Sequence, residues 1–116
     1  MELDGLVSEW LTLPELAERI DTPLPKVRQL LREGRLVAVE RGTPPVKSVP
    51  VELVSDGRLI KGLSGALTVL RDAGYDDRQA LRWLLTDDAA IPGRPVDAMA
   101  AGRDAAVKRR AMVLAF

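Results

Sequence analysis

The sequence predicts a mainly α chain with one small β-hairpin between two short N-terminal helices and a longer helical half, and three observations predict it. Two capping patterns, Thr12-Leu13-Pro14-Glu15 and Asp76 with Gln79, open apolar stripes of helical period. The turn cluster Gly42-Thr43-Pro44-Pro45 divides two short runs rich in β-branched residues. Aromatic residues make up only 3% of the chain, which leaves a core of Leu, Val, Ala and Ile.

Length and composition bound the answer. A chain of 116 residues holds one domain or two very small ones. With 47% hydrophobic and 29% charged residues, and 17 charges of each sign, it is expected to fold around a core. The absence of Cys excludes disulfides, thiolate metal sites and Cys nucleophiles, and the absence of His removes the usual zinc ligand and neutral-pH proton shuttle. Glu2 and Asp4 stand where a signal peptide carries bases, and no window approaches the ~20 apolar residues of a membrane helix. A cytoplasmic location without membrane contact is the expectation.

The elements follow in order. Thr12 and Glu15 can cap each other's amides, and Leu13, Leu16, Ala17 and Ile20 form the buried stripe of a short helix ending at Asp21 and Thr22. Trp10, just before it, is expected to act as a hydrophobic staple. Pro23 and Pro25 suit the first turn of a second helix, with Thr22 as turn residue or N-cap. Leu24, Val27, Leu30 and Leu31 make its stripe and Gly34 its stop. Residues 36–39 and 46–49 then form the two strands of the hairpin. Pro50 introduces a helical turn over 51–54, Asp56-Gly57 turns the chain, and Leu59-Ile60 is extended.

Beyond residue 62 the pattern is helical. Ser64 is expected to cap a helix carrying Leu67, Val69 and Leu70 that stops at Gly74. Asp76 and Gln79 cap the next, with Ala80, Leu81, Trp83, Leu84 and Leu85. After the Ile91–Pro95 loop, Pro95 opens a short helix ending at Gly102, and Val107, Ala111 and Leu114 mark the last one.

Helix, tight turn, helix, hairpin is the order of a winged helix-turn-helix with a two-stranded wing, here followed by a C-terminal helical bundle. Charge agrees with that order. Between 24 and 47, six bases (Lys26, Arg28, Arg32, Arg35, Arg41, Lys47) face two acids (Glu33, Glu40), whereas residues 1–11 carry Glu2, Asp4 and Glu9 and no base. Stepping ~100° per residue from a buried Val27 turns Arg28, Gln29 and Arg32 outward, with Lys26 on the flank. Arg and Gln suit guanine and adenine edges in the major groove, so Arg28 and Gln29 are the candidate base readers. Arg35, Arg41 and Lys47 are candidates for the backbone or minor groove. The expected partner is double-stranded DNA, with no cofactor, metal or catalytic residue. A solvated basic helix face with an ordinary charged hairpin is the plainer alternative.

Residues 11–53, LTLPELAERIDTPLPKVRQLLREGRLVAVERGTPPVKSVPVEL, resemble the winged helix-turn-helix of the excisionase and MerR-type superfamily. Together with Gly65–Tyr75, Arg82-Trp83-Leu84, Pro95–Ala98 and Arg109-Arg110-Ala111, the chain resembles a family of small actinobacterial DNA-binding proteins. That resemblance implies a winged-helix reader with an appended helical domain and a transcriptional or nucleoid role. The expected divisions are an acidic segment 1–11, a DNA-binding domain 12–61 and a helical domain 62–116.

Other signals are weaker. Gly57–Ser64 has the glycine spacing of a phosphate loop, but Leu63 stands in place of its lysine. Asp76-Asp77 and Asp87-Asp88 sit at helix ends, where acids serve as caps. Lys108-Arg109-Arg110 reads as a solvated face, with Arg110 a candidate for internal pairing. The Trp83-Leu84 helix and its Gly-Arg-Pro loop distantly resemble the partner-binding domain of some antitoxins, although a core anchor is the simpler role for Trp83. The alternative function is therefore an interaction module whose C-terminal helices hold a protein partner or a second copy of the chain.

Overall fold

The computed structural model describes residues 3–114. A 3-10 turn at Leu3–Gly5 leads to strand β1 (Trp10–Thr12), helix α1 (Leu13–Arg19) and helix α2 (Leu24–Arg32). Strands β2 (Val39–Arg41) and β3 (Val46–Pro50) follow, then a 3-10 turn at Val51–Leu53 and a two-stranded ribbon of β4 (Val54–Ser55) and β5 (Arg58–Leu59). The C-terminal half consists of α3 (Leu63–Asp72), α4 (Asp77–Leu84), α5 (Pro95–Ala100) and α6 (Asp104–Val113). This is a winged helix-turn-helix followed by packed helices.

Both capping boxes form. The Glu15 amide donates to Thr12 Oγ1 at 3.3 Å and the Thr12 amide to Glu15 Oε1 at 2.8 Å. The Gln79 amide donates to Asp76 Oδ1 at 2.8 Å and the Asp76 amide to Gln79 Oε1 at 2.9 Å. Each box satisfies two amides that the helix start leaves unpaired, worth about 1 kcal/mol per cap.

The sheet differs from a bare hairpin. β3 is its centre, pairing antiparallel with β2 on one side and β1 on the other. β1 is only three residues long and leaves no alternating pattern to recognise in sequence. The first wing strand also begins at Val39 instead of at residue 36. Continuing its register backwards would oppose residue 37 to Pro50, which has no amide hydrogen to donate. Leu36 and Val37 are buried at 1% exposure as core side chains outside the ladder. Trp10 sits in β1, half-buried beneath the Arg41 guanidinium.

Helix α3 starts at Leu63, before the expected cap Ser64. Its N-cap is Gly62 at φ +85°, where a Cβ would lie 2.6 Å from the Cβ of Asp104. Close approach of α6 therefore sets this start, a tertiary demand that local capping rules do not contain. Leu114 closes α6, and the last two residues of the expected final helix lie outside the described ones.

One apolar cluster runs through the molecule, from Leu11, Leu16, Val27 and Leu53 to Leu67, Leu81, Val96 and Val107. Leu3 and its turn pack on α4, and the turn at Val51–Leu53 packs on α5. The radius of gyration, 13.4 Å, is that of a single close-packed body of this length. Polar bonds reinforce the packing. Asp88 accepts from the Ala90 amide at 2.8 Å, from Arg110 Nε at 3.1 Å and from Trp83 Nε1 at 3.3 Å. Glu52 takes the Ser8 amide at 3.0 Å and pairs with Arg94 at 3.6 Å.

The Ala90 amide, with Arg110 and Trp83, holds the Asp88 carboxyl below the usual carboxylate range against the opposing effect of burial. Because the folded form is the stronger acid, this contribution is complete above the ordinary aspartate value of about 3.9 and fades as pH falls through the lower folded value. Asp88→Asn should thus lower stability at pH 7 by about 1–2 kcal/mol. In urea titrations the gap between variant and wild type should close substantially by pH 3; an equal gap at both pH values would contradict the assignment.

Candidate nucleic-acid interface

The turn between α1 and α2 is tight because the chain reverses locally. The Thr22 amide reaches back to the Ala17 carbonyl at 2.9 Å, Asp21 takes φ +49°, and Pro23 precedes α2. Val27, fully buried, anchors α2, and Leu24, Leu30 and Leu31 pack beside it. A buried aliphatic side chain of this size contributes about 1.5–3 kcal/mol, so the rotation of α2 about its own axis is well determined. Lys26, Arg28 and Arg32 consequently face solvent.

Arg28 and Arg32 meet Lys47 across a groove of about 560 Å³, floored by Leu13, Pro14, Leu31 and Val46. The N-terminus of α1, the outer face of α2 and the start of β3 form its walls. Among the described residues, no carboxylate lies within ion-pairing distance of Lys26, Arg28, Arg32 or Lys47. A concave surface carrying uncompensated cations attracts a polyanion.

The other expected contacts divide. Gln29 is half-buried, and its amide donates to Glu33 Oε2 at 2.9 Å; Arg35 pairs with Glu33 at 3.8 Å. Glu33 thus occupies the amide donor that Gln29 would need for a bidentate adenine contact. Arg41 is not brought to the groove. The register sets Arg41 opposite Val46 and Glu40 opposite Lys47, so Arg41 and Lys47 project from opposite faces of the hairpin. Arg41 pairs with Asp4 at 2.8 Å and lies 4.5 Å from the centre of the Trp10 ring. Trp83 is half-buried and bonded to Asp88, and Arg110 does pair internally with that same carboxylate.

One polar contact to α2 has no counterpart in the sequence pattern. The helix ends in a Schellman turn, with the Gly34 amide on the Leu31 carbonyl at 3.1 Å and the Arg35 amide on the Leu30 carbonyl at 2.9 Å. Gly34 sits at φ +74°, and its carbonyl accepts a hydrogen bond from Arg71 Nη1 of α3. The two residues are 37 positions apart, beyond the reach of any local rule.

Helix-turn-helix, wing and a basic groove together define a winged helix-turn-helix protein of the nucleic-acid-binding type. Residues 3–54 match the family described as the DNA-binding protein Rv2175c wHTH domain, and residues 60–115 the Rv2175c C-terminal domain of unknown function. The chain belongs to the Rv2175c family. It is 40% identical to the DNA-binding protein Rv2175c of Mycobacterium tuberculosis (strain H37Rv), over 90% of this chain and 79% of that protein. The solution NMR structure of Rv2175c superposes with a TM-score of 0.79 at 37% identity, covering 93% of this chain and 82% of that one.

Gly34→Ala should cost more stability than Gly74→Ala. Both positions have positive φ, but a Cβ at Gly34 would lie 2.9 Å from Arg71 Nη1, whereas nothing stands within 4 Å at Gly74. Each change carries about 1–2 kcal/mol of left-handed strain, and the excess at Gly34 in chemical denaturation measures the Arg71 contact. Equal losses would deny that contact a role.

Proposed function

We propose that the chain binds double-stranded DNA, laying α2 in the major groove with Lys47 against the backbone, and serves in transcription regulation. The observation that carries this reading is the convergence of Arg28, Arg32 and Lys47 on one groove free of carboxylates. Arg28 and Arg32 are the base readers, while Lys26 and Lys47 neutralise phosphates. Gln29 and Arg35 join when Glu33 releases them, and Arg41 acts as a structural cation on Asp4 and Trp10. The DNA-binding name of the mycobacterial relative supports the same partner.

In this reading residues 12–61 do the contacting and residues 62–116 support them. The chain works in the cytoplasm, in association with the nucleoid, and catalyses nothing. No helix among the described residues is long and apolar enough to cross a membrane. A single module of this size covers little DNA, so two copies on half-sites ~34–36 Å apart would raise specificity.

The partner-binding alternative has its own support. Tyr75, Arg82 and Trp83 line a groove of about 550 Å³ on the C-terminal helices, and Met112 and Val113 are exposed at 50% and 58%. Co-purification of a protein partner, with no duplex bound at low salt, would favour it.

Duplex affinity should fall steeply between about 50 and 200 mM salt. Arg28→Ala should cost ~1–3 kcal/mol on a selected site and relax base choice, whereas Lys47→Ala should weaken all sequences alike and flatten the salt slope by about one. Arg41→Ala should leave affinity within about twofold, because that guanidinium is already committed. Fluorescence anisotropy on selected and scrambled duplexes separates these outcomes, and indifference to both Arg28→Ala and Lys47→Ala would refute the proposal.

A further inference from the structure

We propose that Arg71 is a positioning residue for DNA binding, through which the C-terminal helices hold the far end of the reading helix; this rests on the duplex-binding reading above. Its guanidinium sits in the last turn of α3 and joins three elements. Nη1 donates to the Gly34 carbonyl in the turn that ends α2. Nη2 lies 3.3 Å from Asp77 Oδ1, in the first turn of α4, where a carboxylate is favoured by the helix dipole. A rigid planar fork held at both nitrogens fixes direction as well as distance. The N-terminus of α4 is thereby tied to the C-terminus of α2.

The position of this tie matters for recognition. Arg71 and Asp77 line a cleft of about 240 Å³ with Leu31, Leu36, Glu40 and Lys47. Leu31 and Lys47 also line the groove that contains Arg28 and Arg32. The tie therefore adjoins the basic groove while both terminal nitrogens of Arg71 hold partners within the protein. Val27 pins the middle of α2 and the capping box pins α1, but apart from the Schellman turn and the local contacts of Glu33 with Gln29 and Arg35, the end at Gly34 has this one side-chain bond from another element among the described residues. Loosening it lets α2 pivot, moving Arg28 and Arg32 relative to Lys47, and only the fraction of molecules in register binds well. A domain described only as of unknown function acquires a role as the brace of the reader.

The test uses the full chain as wild type, Arg71→Ala, Arg71→Lys and Asp77→Asn, titrated with a mixed-sequence duplex across salt, with amide hydrogen exchange measured in parallel without DNA. Arg71→Ala should bind about tenfold more weakly at an unchanged salt slope, because a positioning group neutralises no phosphate. The Gly34 and Arg35 amides should exchange correspondingly faster while Ala80 and Leu81 stay protected. Arg71→Lys should recover part of both effects, and Asp77→Asn should show a smaller version of them. A slope flatter by about one would make Arg71 a phosphate contact and overturn the inference. Unchanged affinity and exchange would overturn it too, as would loss of protection throughout α3 and α4 in every variant. Should the wild type bind no duplex at all, the DNA reading fails by itself. Exchange at Gly34 and Arg35 then decides the brace: faster in Arg71→Ala supports it, unchanged refutes it.

Discussion

The seating of one side chain, Val27, is the constraint from which the functional surface derives. It is fully buried, and the helix that carries it has only nine residues, so its orientation is set by what Val27 and the flanking leucines can fill. Rotating α2 by one residue would expose that aliphatic face and bury arginine, an exchange costing several kcal/mol on both counts. The outward presentation of Arg28 and Arg32 is thus the reverse side of a packing decision. Wing and groove inherit their geometry from it, since Leu31 contributes to the core contacts and to the groove floor alike.

Charge is distributed with equal economy. The chain is formally neutral, yet its acids are not spread evenly among its bases. Asp4 holds Arg41, Glu9 holds Arg19, Asp77 holds Arg71, Asp88 holds Arg110, and Glu52 and Asp97 share Arg94. Most of these are exposed pairs that add little stability, typically about 0–1 kcal/mol each. Their larger effect is on the field. By neutralising cations elsewhere, they leave the groove beside α2 as a local positive region on a neutral molecule. The acidic N-terminal stretch takes part in this, since Asp4 and Glu9 each neutralise an arginine.

Much of this is legible in the sequence because the signals are local. Capping boxes, stripes of helical period and the Gly34 stop mark α1, α2 and α4 to within a residue or two, and stepping around α2 from Val27 turns Arg28 and Arg32 outward correctly. What the sequence does not disclose depends on partners far along the chain. Strand β1 exists because β3 offers it an edge, and α3 begins at Leu63, capped by Gly62, because α6 passes close by. Arg41 looks in sequence like Lys47, a cation beside the turn. Only the pairing register, which decides the face, sends one to Asp4 and the other to the groove. Likewise no spacing rule connects Arg71 with Gly34.

The continuous core bears on how such a protein can be rearranged. Leu3 and the Val51–Leu53 turn lean on helices from the other half, and Leu53 is fully covered. An excised winged helix-turn-helix would bare this apolar seam to water, and the detached helices would bare its counterpart. The two halves are consequently poor candidates for shuffling onto unrelated scaffolds: a chimaera that borrows the N-terminal half must import the C-terminal helices too, or rebuild an equivalent surface from scratch.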